Sequence, residues 1–351
     1  NPNVLTIGFG RRFATYKRAT LLFENLEWLK EITSHPDRPV LFVYTGKAHP
    51  ADKPGQDLIR QVSHVARMPE FEGRILLVEG YDLHFSRRLV AGVDVWLNNP
   101  VFPLEASGTS GMKAAMNGVI NLSVLDGWWE EGYDGTNGWA IKPATDAADE
   151  FRRNREESRA LYEILQDQVI PLYYDRGNIG HSPGWIGMAK RSIATIAPHF
   201  NAARMVGEYI ATSYLPATQQ GRRFAEGHFG GAAALAAWKS RVRHAWPNVS
   251  LRRLDAPKKR IAFGESFPVE VAVALNGLAP DDVIVEIVMD HPRQKQRHAL
   301  SAVGTLPETG ERRFALELTP EMCGQLEYRI RAYPCHALLT HPFEMGLMIW
   351  V

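Results

Sequence analysis

The sequence predicts an α/β region built on a parallel sheet with helical cover, residues 1–246, followed by an all-β sandwich over residues 247–351. Three observations carry that reading. Short apolar runs alternate with helical patterns over residues 1–145, as when strands are joined by crossover helices. From Thr145 to about Trp246 the pattern is helical throughout. After Pro247, runs that alternate apolar and polar positions are separated by turn chemistry, the pattern of antiparallel strands. At about 100–200 residues per domain, 351 residues suggest two or three domains, each large enough to bury a core without staples.

In chain order, the expected strands of the first region are Val4–Phe9, Val40–Thr45, Ile75–Glu79, Val93–Leu97 and Val119–Ser123. Each is apolar on both faces, as a strand covered on two sides must be. Between them, Tyr16–Ile32 places Leu21, Leu22, Leu26 and Leu29 on one helical stripe, and Gly55–Ala66 and Phe85–Val90 follow. The helical segment comprises Ala147–Ile170, Pro183–Ala197, Asn201–Tyr214 and Arg222–His244, read as packing and cover for the sheet. In the tail, strands are expected at Val269–Leu275, Val283–Met289, Phe314–Leu318, Leu326–Ala332 and Leu347–Val351, a sandwich of immunoglobulin-like size. Turns such as Asn276-Gly277 and Thr309-Gly310 punctuate them.

Composition excludes several classes. Hydrophobic residues at 45% and charged residues at 23% rule out a disordered or collagen-like chain. Forty basic against thirty-nine acidic residues give a net +1, so overall charge does not call for nucleic acid. Two cysteines, Cys323 and Cys335, make no disulfide framework, and no Cys/His spacing suggests zinc or another metal. No apolar run reaches the roughly 18 residues of a membrane span. The composition fits a cytoplasmic protein. The chain lacks a starting Met and opens almost directly on a strand, which predicts a piece of something longer.

The sharpest local signal is Glu105-Ala-Ser-Gly-Thr-Ser-Gly-Met-Lys113. Small residues from Ala106 to Gly111 let the backbone approach a ligand, and the helical run that follows offers free amides to an anion. Lys113 sits in the first turns of that helix; burial would lower its pKa and suit it to a Schiff base with an aldehyde cofactor. A second basic cluster, Gly8-Phe-Gly-Arg-Arg-Phe-Ala-Thr-Tyr-Lys-Arg18, follows the first strand. Gly8 and Gly10 begin a dinucleotide-type pattern, but Phe13 stands at its third glycine and no acidic residue closes the second strand. Arg11, Arg12 and Lys17 nevertheless lie at a strand's carboxyl end, where open α/β sheets bind ligands, and supply donors for phosphate oxygens. Two anion-friendly loops on one sheet edge suggest one phosphate-rich site. Lys47, His49, Tyr81, Asp82, Asn98 and Asn99 fall on the same edge. Asp126–Gly135 combines aromatics with carboxylates as a sugar-binding loop would, with an apolar anchor role for Trp128 and Trp129 the alternative. Ser107 and Ser110 form no nucleophile elbow.

The run Glu-Ala-Ser-Gly-Thr-x-x-Met-Lys resembles the pyridoxal-phosphate loop of the α-glucan (glycogen, starch, maltodextrin) phosphorylases, and Arg12–Arg18 resembles their phosphate-binding helix. The likeness covers about residues 1–215, and the β-rich tail looks like the bacterial branch with an appended C-terminal domain. It implies the C-terminal half of a two-domain, GT-B-type glycosyltransferase fold, with a partner Rossmann-like domain before Asn1. It implies pyridoxal 5′-phosphate on Lys113, its phosphate held by Arg11 and the amides of Gly108, Thr109 and Ser110, and its ring against Tyr81. Arg12 and Lys17 would bind inorganic phosphate; Glu105, Ala106, Ser107 and Gly108 would bind glucosyl hydroxyls. The implied reaction is phosphorolysis of α-1,4-glucan to α-D-glucose 1-phosphate, with the cofactor's phosphate exchanging a proton with substrate phosphate. No nucleic acid or membrane partner is implied, and a homodimer of the full-length protein is left open. Arg11 stands where many members have lysine, and Ser110-Gly111 replaces the common Gly-Asn. A nucleotide-sugar glucan synthase would carry a second Glu eight residues after Glu105, where this chain has Lys113. A non-catalytic carbohydrate-binding protein is the third class; the tail offers few exposed aromatics beyond Trp350.

Overall fold

The computed structural model describes residues 3–177, 180–256, 260–262, 264–291, 294–320 and 327–351, with residues 290, 291 and 294 by their backbone alone. Cys323 and Leu326, named above, lie outside the described residues. The chain forms two compact units, Asn1–Gly207 and Glu208–Val351.

The first unit is built on six parallel strands: β1 (Leu5–Gly10), β2 (Val40–Thr45), β3 (Ile75–Val78), β4 (Val95–Asn98), β5 (Ile120–Val124) and β6 (Gly138–Ile141). Their order is β3-β2-β1-β4-β5-β6, with every pairing parallel. This is a doubly wound sheet whose order reverses between β1 and β4. Strand β6 was not anticipated; its four residues follow the turn-rich Asp134–Asn137 and precede Pro143, too short a run to show a period.

Around the sheet lie α1 (Leu26–Ser34), α2 (Lys53–Ala66), α3 (Leu83–Gly92), α4 (Thr109–Met116), α5 (Trp128–Gly132), α6 (Glu150–Ile164), α7 (Ile170–Tyr174) and α8 (Pro183–Ile196). Asn25, Asp52, Asp82, Asp149 and Ser182 each accept the backbone N–H three residues on and so start a helix. The expected helix over Ala147–Ile170 is instead α6, a π turn and α7. There the Ile170 N–H reaches back to Leu165 O, and Pro171 has no N–H to continue the ladder.

Leu5, Ile7 and Phe9 of β1 point into one apolar core with Phe42, Tyr44, Leu97 and Leu122. Gly8 and Gly10 face the other side. A Cβ on Gly8 would stand 3.0 Å from Val93, and one on Gly10 would stand 2.9 Å from both Leu89 and Trp96. The two glycines therefore serve close packing against the sheet, which accounts for them without a dinucleotide.

The expected helix Tyr16–Ile32 is broken. Two short 3-10 turns, Thr15–Lys17 and Leu21–Phe23, precede α1, and Arg18 ends the first with φ 49°. The cause is tertiary. The Arg18 side chain is drawn inward, where Nε donates to Asn99 O (2.9 Å), NH2 to Pro100 O (2.7 Å) and NH1 to Asn154 Oδ1 (3.0 Å). It also pairs with the buried Glu157 carboxylate, whose other oxygen accepts from Ala144 N at 2.9 Å. Burial lowers the guanidinium pKa against the pull of Glu157.

Helix α9 (Ala202–Tyr209) crosses the division between units. The second unit contains α10 (Leu215–Ala245), interrupted by non-helical backbone at Glu226–Phe229. Its strands are β7 (Ser250–Arg253), β8 (Phe267–Ala274), β9 (Val283–His291), β10 (Gln294–Ala299), β11 (Ser301–Thr305), β12 (Arg312–Leu318), β13 (Glu327–Pro334) and β14 (Ile349–Trp350). They form two antiparallel sheets, β10-β9-β13-β14 and β11-β12-β8-β7. Val269, Val271, Val285, Ile287, Phe314 and Ile330 make one apolar core from both. Leu235, Trp238 and Val242 of α10 join it, so compactness divides the chain before this helix while sequence character changes after it. β7, β10 and β11 were not anticipated; all three are sheet edges, and edge strands need show no apolar alternation.

The buried Arg18–Glu157 pair makes a direct prediction. Glu157→Ala should cost roughly 3–5 kcal/mol in denaturant unfolding, because it strands a buried cation. Arg18→Met with Glu157→Leu should recover part of that loss. A cost for Glu157→Ala within about 0.5 kcal/mol, the range of ordinary surface changes, would show that the pair does not hold this segment.

Candidate functional site

The carboxyl ends of β1 and β4 flank the point where strand order reverses, and the charged groups singled out in the sequence converge there. The first is Arg11, directly after β1. Its backbone N–H continues the sheet by donating to Thr45 O at 3.2 Å. Its side chain is buried (8% exposed), with the guanidinium over the Phe9 ring at 5.2 Å. NH1 lies 3.7 Å from Glu105 Oε2, beyond hydrogen-bond reach, and both Nε and NH1 lack a hydrogen-bond partner. Burial pushes the Arg11 pKa down to about 10, with Glu105 pulling the other way. The folded pKa lies below the unfolded one, so the charged group weighs against the fold at pH below about 10. That weight lifts as pH rises above it.

Lys17, in the first 3-10 turn, makes an ion pair with Glu105 and places its ammonium 4.7 Å from the Tyr16 ring centre. Glu105 is buried at 7% exposure and thus faces two cations. The main chain then runs to Gly108, which adopts φ 85°, ψ 53°, and opens α4 without a side-chain cap. That conformation suits glycine, and it leaves the first amides of α4, those of Thr109 and Ser110, without helical partners. Ser110 Oγ is fixed by the Trp96 indole N–H at 3.2 Å. Tyr81 is half-buried after β3, its hydroxyl 3.2 Å from Ser86 Oγ and 3.5 Å from Gly10 O, next to Arg11.

Arg11, Lys17 and Glu105 are therefore brought into one cluster. Arg12 and Lys113 are exposed, and among the described residues neither side chain makes an ion pair. The condition placed on Lys113, burial, is not met, because the side chain is exposed on α4. Ala106 and Thr109 are exposed, and Ser107 and Gly108 are half-buried. Lys47 and His49 are exposed; His49 Nδ1 accepts the Ala51 N–H at 3.1 Å and so shapes the turn before α2. Asp82 caps α3, Asn98 donates to Ser123 Oγ at 3.1 Å, and Asn99 donates to Arg18 O at 2.9 Å.

The reading of Asp126–Gly135 as a sugar-binding loop is corrected for its indoles: Trp128 and Trp129 are 3% and 0% exposed and pack inward with Ala115 and Ile196. Residues that sequence reasoning missed lie behind the site. These are Trp96 and Asn121, which hold Ser110 and Gly111; Asp126, read in the sequence as a carboxylate of a sugar-binding loop, holds the Glu105 amide. Among the described residues no cluster of His, Cys, Asp or Glu could hold a metal ion, and no helix is long and apolar enough to cross a membrane. The excess of buried positive charge, the unmet donors of Arg11 and the free amides of α4 suit an anion with several oxygens, such as a phosphate.

Comparison with known proteins falls on the same segments. Residues 9–131 match the family described as carbohydrate phosphorylase, and residues 246–351 match the glycogen phosphorylase C-terminal domain. The chain is 42% identical over 360 residues to maltodextrin phosphorylase of Thermococcus litoralis, an alignment covering 100% of this chain and 42% of that protein. It is 39% identical over 361 residues to glycogen phosphorylase of Mycobacterium bovis, covering 99% of this chain and 41% of the relative. A glycogen phosphorylase of Aquifex aeolicus is 51% identical over 214 residues, 61% of this chain and 30% of the relative. The chain thus spans about two fifths or less of the length of these curated relatives.

The cluster predicts that inorganic phosphate raises the thermal midpoint of this chain, the gain in stability growing with the logarithm of phosphate above Kd to about 2.7 kcal/mol at a hundred times Kd. In Arg11→Met the phosphate-dependent rise should vanish while the ligand-free midpoint does not fall, since an unsatisfied buried donor has been removed. An equal phosphate response in the variant would place the anion elsewhere.

Proposed function

We propose that this chain is the C-terminal part of an α-1,4-glucan phosphorylase, a reading supported by the match of residues 9–131 to the carbohydrate phosphorylase family and of residues 246–351 to the glycogen phosphorylase C-terminal domain. The reaction is phosphorolysis of the terminal α-1,4-linked glucose of glycogen or maltodextrin, yielding α-D-glucose 1-phosphate. The observation that carries the reading is the buried Arg11 guanidinium with two unmet donors beside the Lys17–Glu105 pair. Two phosphate groups held close together need fixed cations and amides of this kind.

The residues present fit pyridoxal 5′-phosphate. Arg11 and the amides of Gly108, Thr109 and Ser110 would hold its phosphate, Lys113 would offer an accessible amine on α4, and Tyr81, beside Gly10, would flank the ring. When bound, the cofactor supplies a phosphate that exchanges a proton with the substrate phosphate. The chain's own residues do the rest. Arg12 and Lys17 hold inorganic phosphate. Glu105, with Ala106, Ser107 and Gly108, orients the glucosyl hydroxyls. Because Lys17 pairs with Glu105, the phosphate-binding and sugar-binding groups are in register before either substrate arrives.

In this reading residues 1–246 form the cofactor-holding part and residues 247–351 an appended β domain. A second Rossmann-like domain completes a GT-B arrangement by closing over the ring, and the whole enzyme works in the cytoplasm.

Borohydride treatment of the full-length protein tests the proposal. Reduction should fix a pyridoxyl group on Lys113, located by peptide mass spectrometry, and Lys113→Ala should lose both the adduct and phosphorolysis. No adduct in the full-length protein would overturn the assignment. The 351-residue chain alone should show negligible turnover, and measurable phosphorolysis by it would contradict a shared active site.

A further inference from the structure

We propose that Asp126, directly after β5, is a positioning residue for Glu105, and so sets the orientation of the glucosyl-binding carboxylate without touching substrate. The inference rests on the phosphorylase reading above for the role of Glu105; the clamp itself is visible in the fold. Asp126 is 4% exposed. Its Oδ2 accepts the Glu105 backbone N–H at 2.9 Å, and its Oδ1 accepts the Gly127 N–H at 2.9 Å. The described residues show no cation paired with it. A buried carboxylate satisfied by two amides is an expensive way to hold a loop, but an ionised acceptor grips an N–H harder than a neutral one.

The grip extends along the loop. Trp128 N–H donates to Ser107 O at 2.9 Å, so residues 105 and 107 are both tied to the elbow after β5. Gly127 makes the close approach possible. It adopts φ 57°, and a Cβ there would stand 2.5 Å from Ser107 O and 2.7 Å from Glu105 O. Fixing the amide of residue 105 fixes the direction in which its side chain leaves the backbone. That side chain is the one shared by Lys17 and Arg11. Asp126 therefore acts on the site through Glu105, and its own carboxylate points at main chain, in contrast to the sugar-contacting role the sequence suggested for this stretch.

Asp126→Asn keeps the shape but turns one oxygen into an NH2 group, so one of the two amides loses its acceptor. In the full-length enzyme, kcat/KM for the glucan should fall about 10- to 100-fold, the scale expected when a binding group is displaced by about an ångström. KM for inorganic phosphate should rise several-fold less than the glucan efficiency falls, since Arg12 does not touch this elbow and Lys17 meets it only through Glu105. In a Glu105→Gln background the further loss from Asp126→Asn should largely disappear, because both changes act through one group. Asp126→Glu should restore part of the activity. Gly127→Ala, which moves the loop while leaving the carboxylate in place, should reproduce the selective loss of glucan efficiency if Asp126→Asn fails to fold. In the 351-residue chain, hydrogen exchange at the Glu105 amide should quicken in Asp126→Asn while the β1 and β2 amides keep their protection. Additive losses in the double variant, an equal rise in the phosphate KM, or unchanged exchange at Glu105 would overturn the proposal. An inactive wild-type full-length protein would instead overturn the phosphorylase reading, with the exchange measurement still deciding whether Asp126 holds Glu105.

Discussion

One buried and one half-buried cation share one carboxylate at the edge of the parallel sheet, and much of the first unit serves to keep them there. Arg11 and Lys17 outnumber Glu105, and Arg11 retains unmet donors inside the protein. A desolvated guanidinium in that state costs stability, as its lowered pKa registers. The fold tolerates the cost because β1 is locked on both sides, with β2 and β4 as neighbours. Its last residues cannot swing the side chain out to water. An incoming anion then gains what the fold has forgone, which is how a preorganised site differs from a flexible basic patch.

Arg18, one residue from Lys17, shows the opposite economy. Each nitrogen of its guanidinium has a partner, among two backbone carbonyls, Asn154 and Glu157. Four of its five donors are thus used inside the protein, and its work is to hold the bend that follows the first 3-10 turn, next to Lys17. In a run where four cations occur within eight residues, satisfaction separates structure from site. The filled one shapes the backbone, Lys17 and Arg11 hold the charge cluster, and Arg12 stays at the surface.

The parallel sheet was legible in the sequence because β1, β2, β4 and β5 are buried on both faces and so read as uninterrupted apolar runs, while edge strand β3 is apolar in sequence although Leu76 is exposed. Val40–Thr45 was placed to the residue and the others to within two at each end. Elements whose form is dictated by partners far along the chain were not legible. The helix expected from Tyr16 fails because the Arg18 side chain finds its partners at residues 99, 100, 154 and 157. Edge strands β7, β10 and β11 carry polar sequences because part of each is left to solvent. Trp128 and Trp129 admitted two readings, a ligand platform or an apolar anchor, and only burial against Gly132 and Ala115 decides for the anchor.

The charge cluster itself joins residues 88 positions apart, Lys17 and Glu105, so no local pattern could display it. What the sequence could show was that each basic or small-residue loop follows a strand. Topology does the remainder. Because strand order reverses between β1 and β4, the connection leaving β1 and the connection leaving β4 depart in opposite directions, opening a gap at the sheet edge. Arg11 and Lys17 enter that gap from one side and the Glu105–Ser110 loop from the other. A β5 elbow braces the loop through Asp126. With the strands in simple consecutive order, the β1 crossover would cover the very space in which these groups meet. A near-zero net charge is compatible with an anion site here because the sheet gathers a few cations at one point.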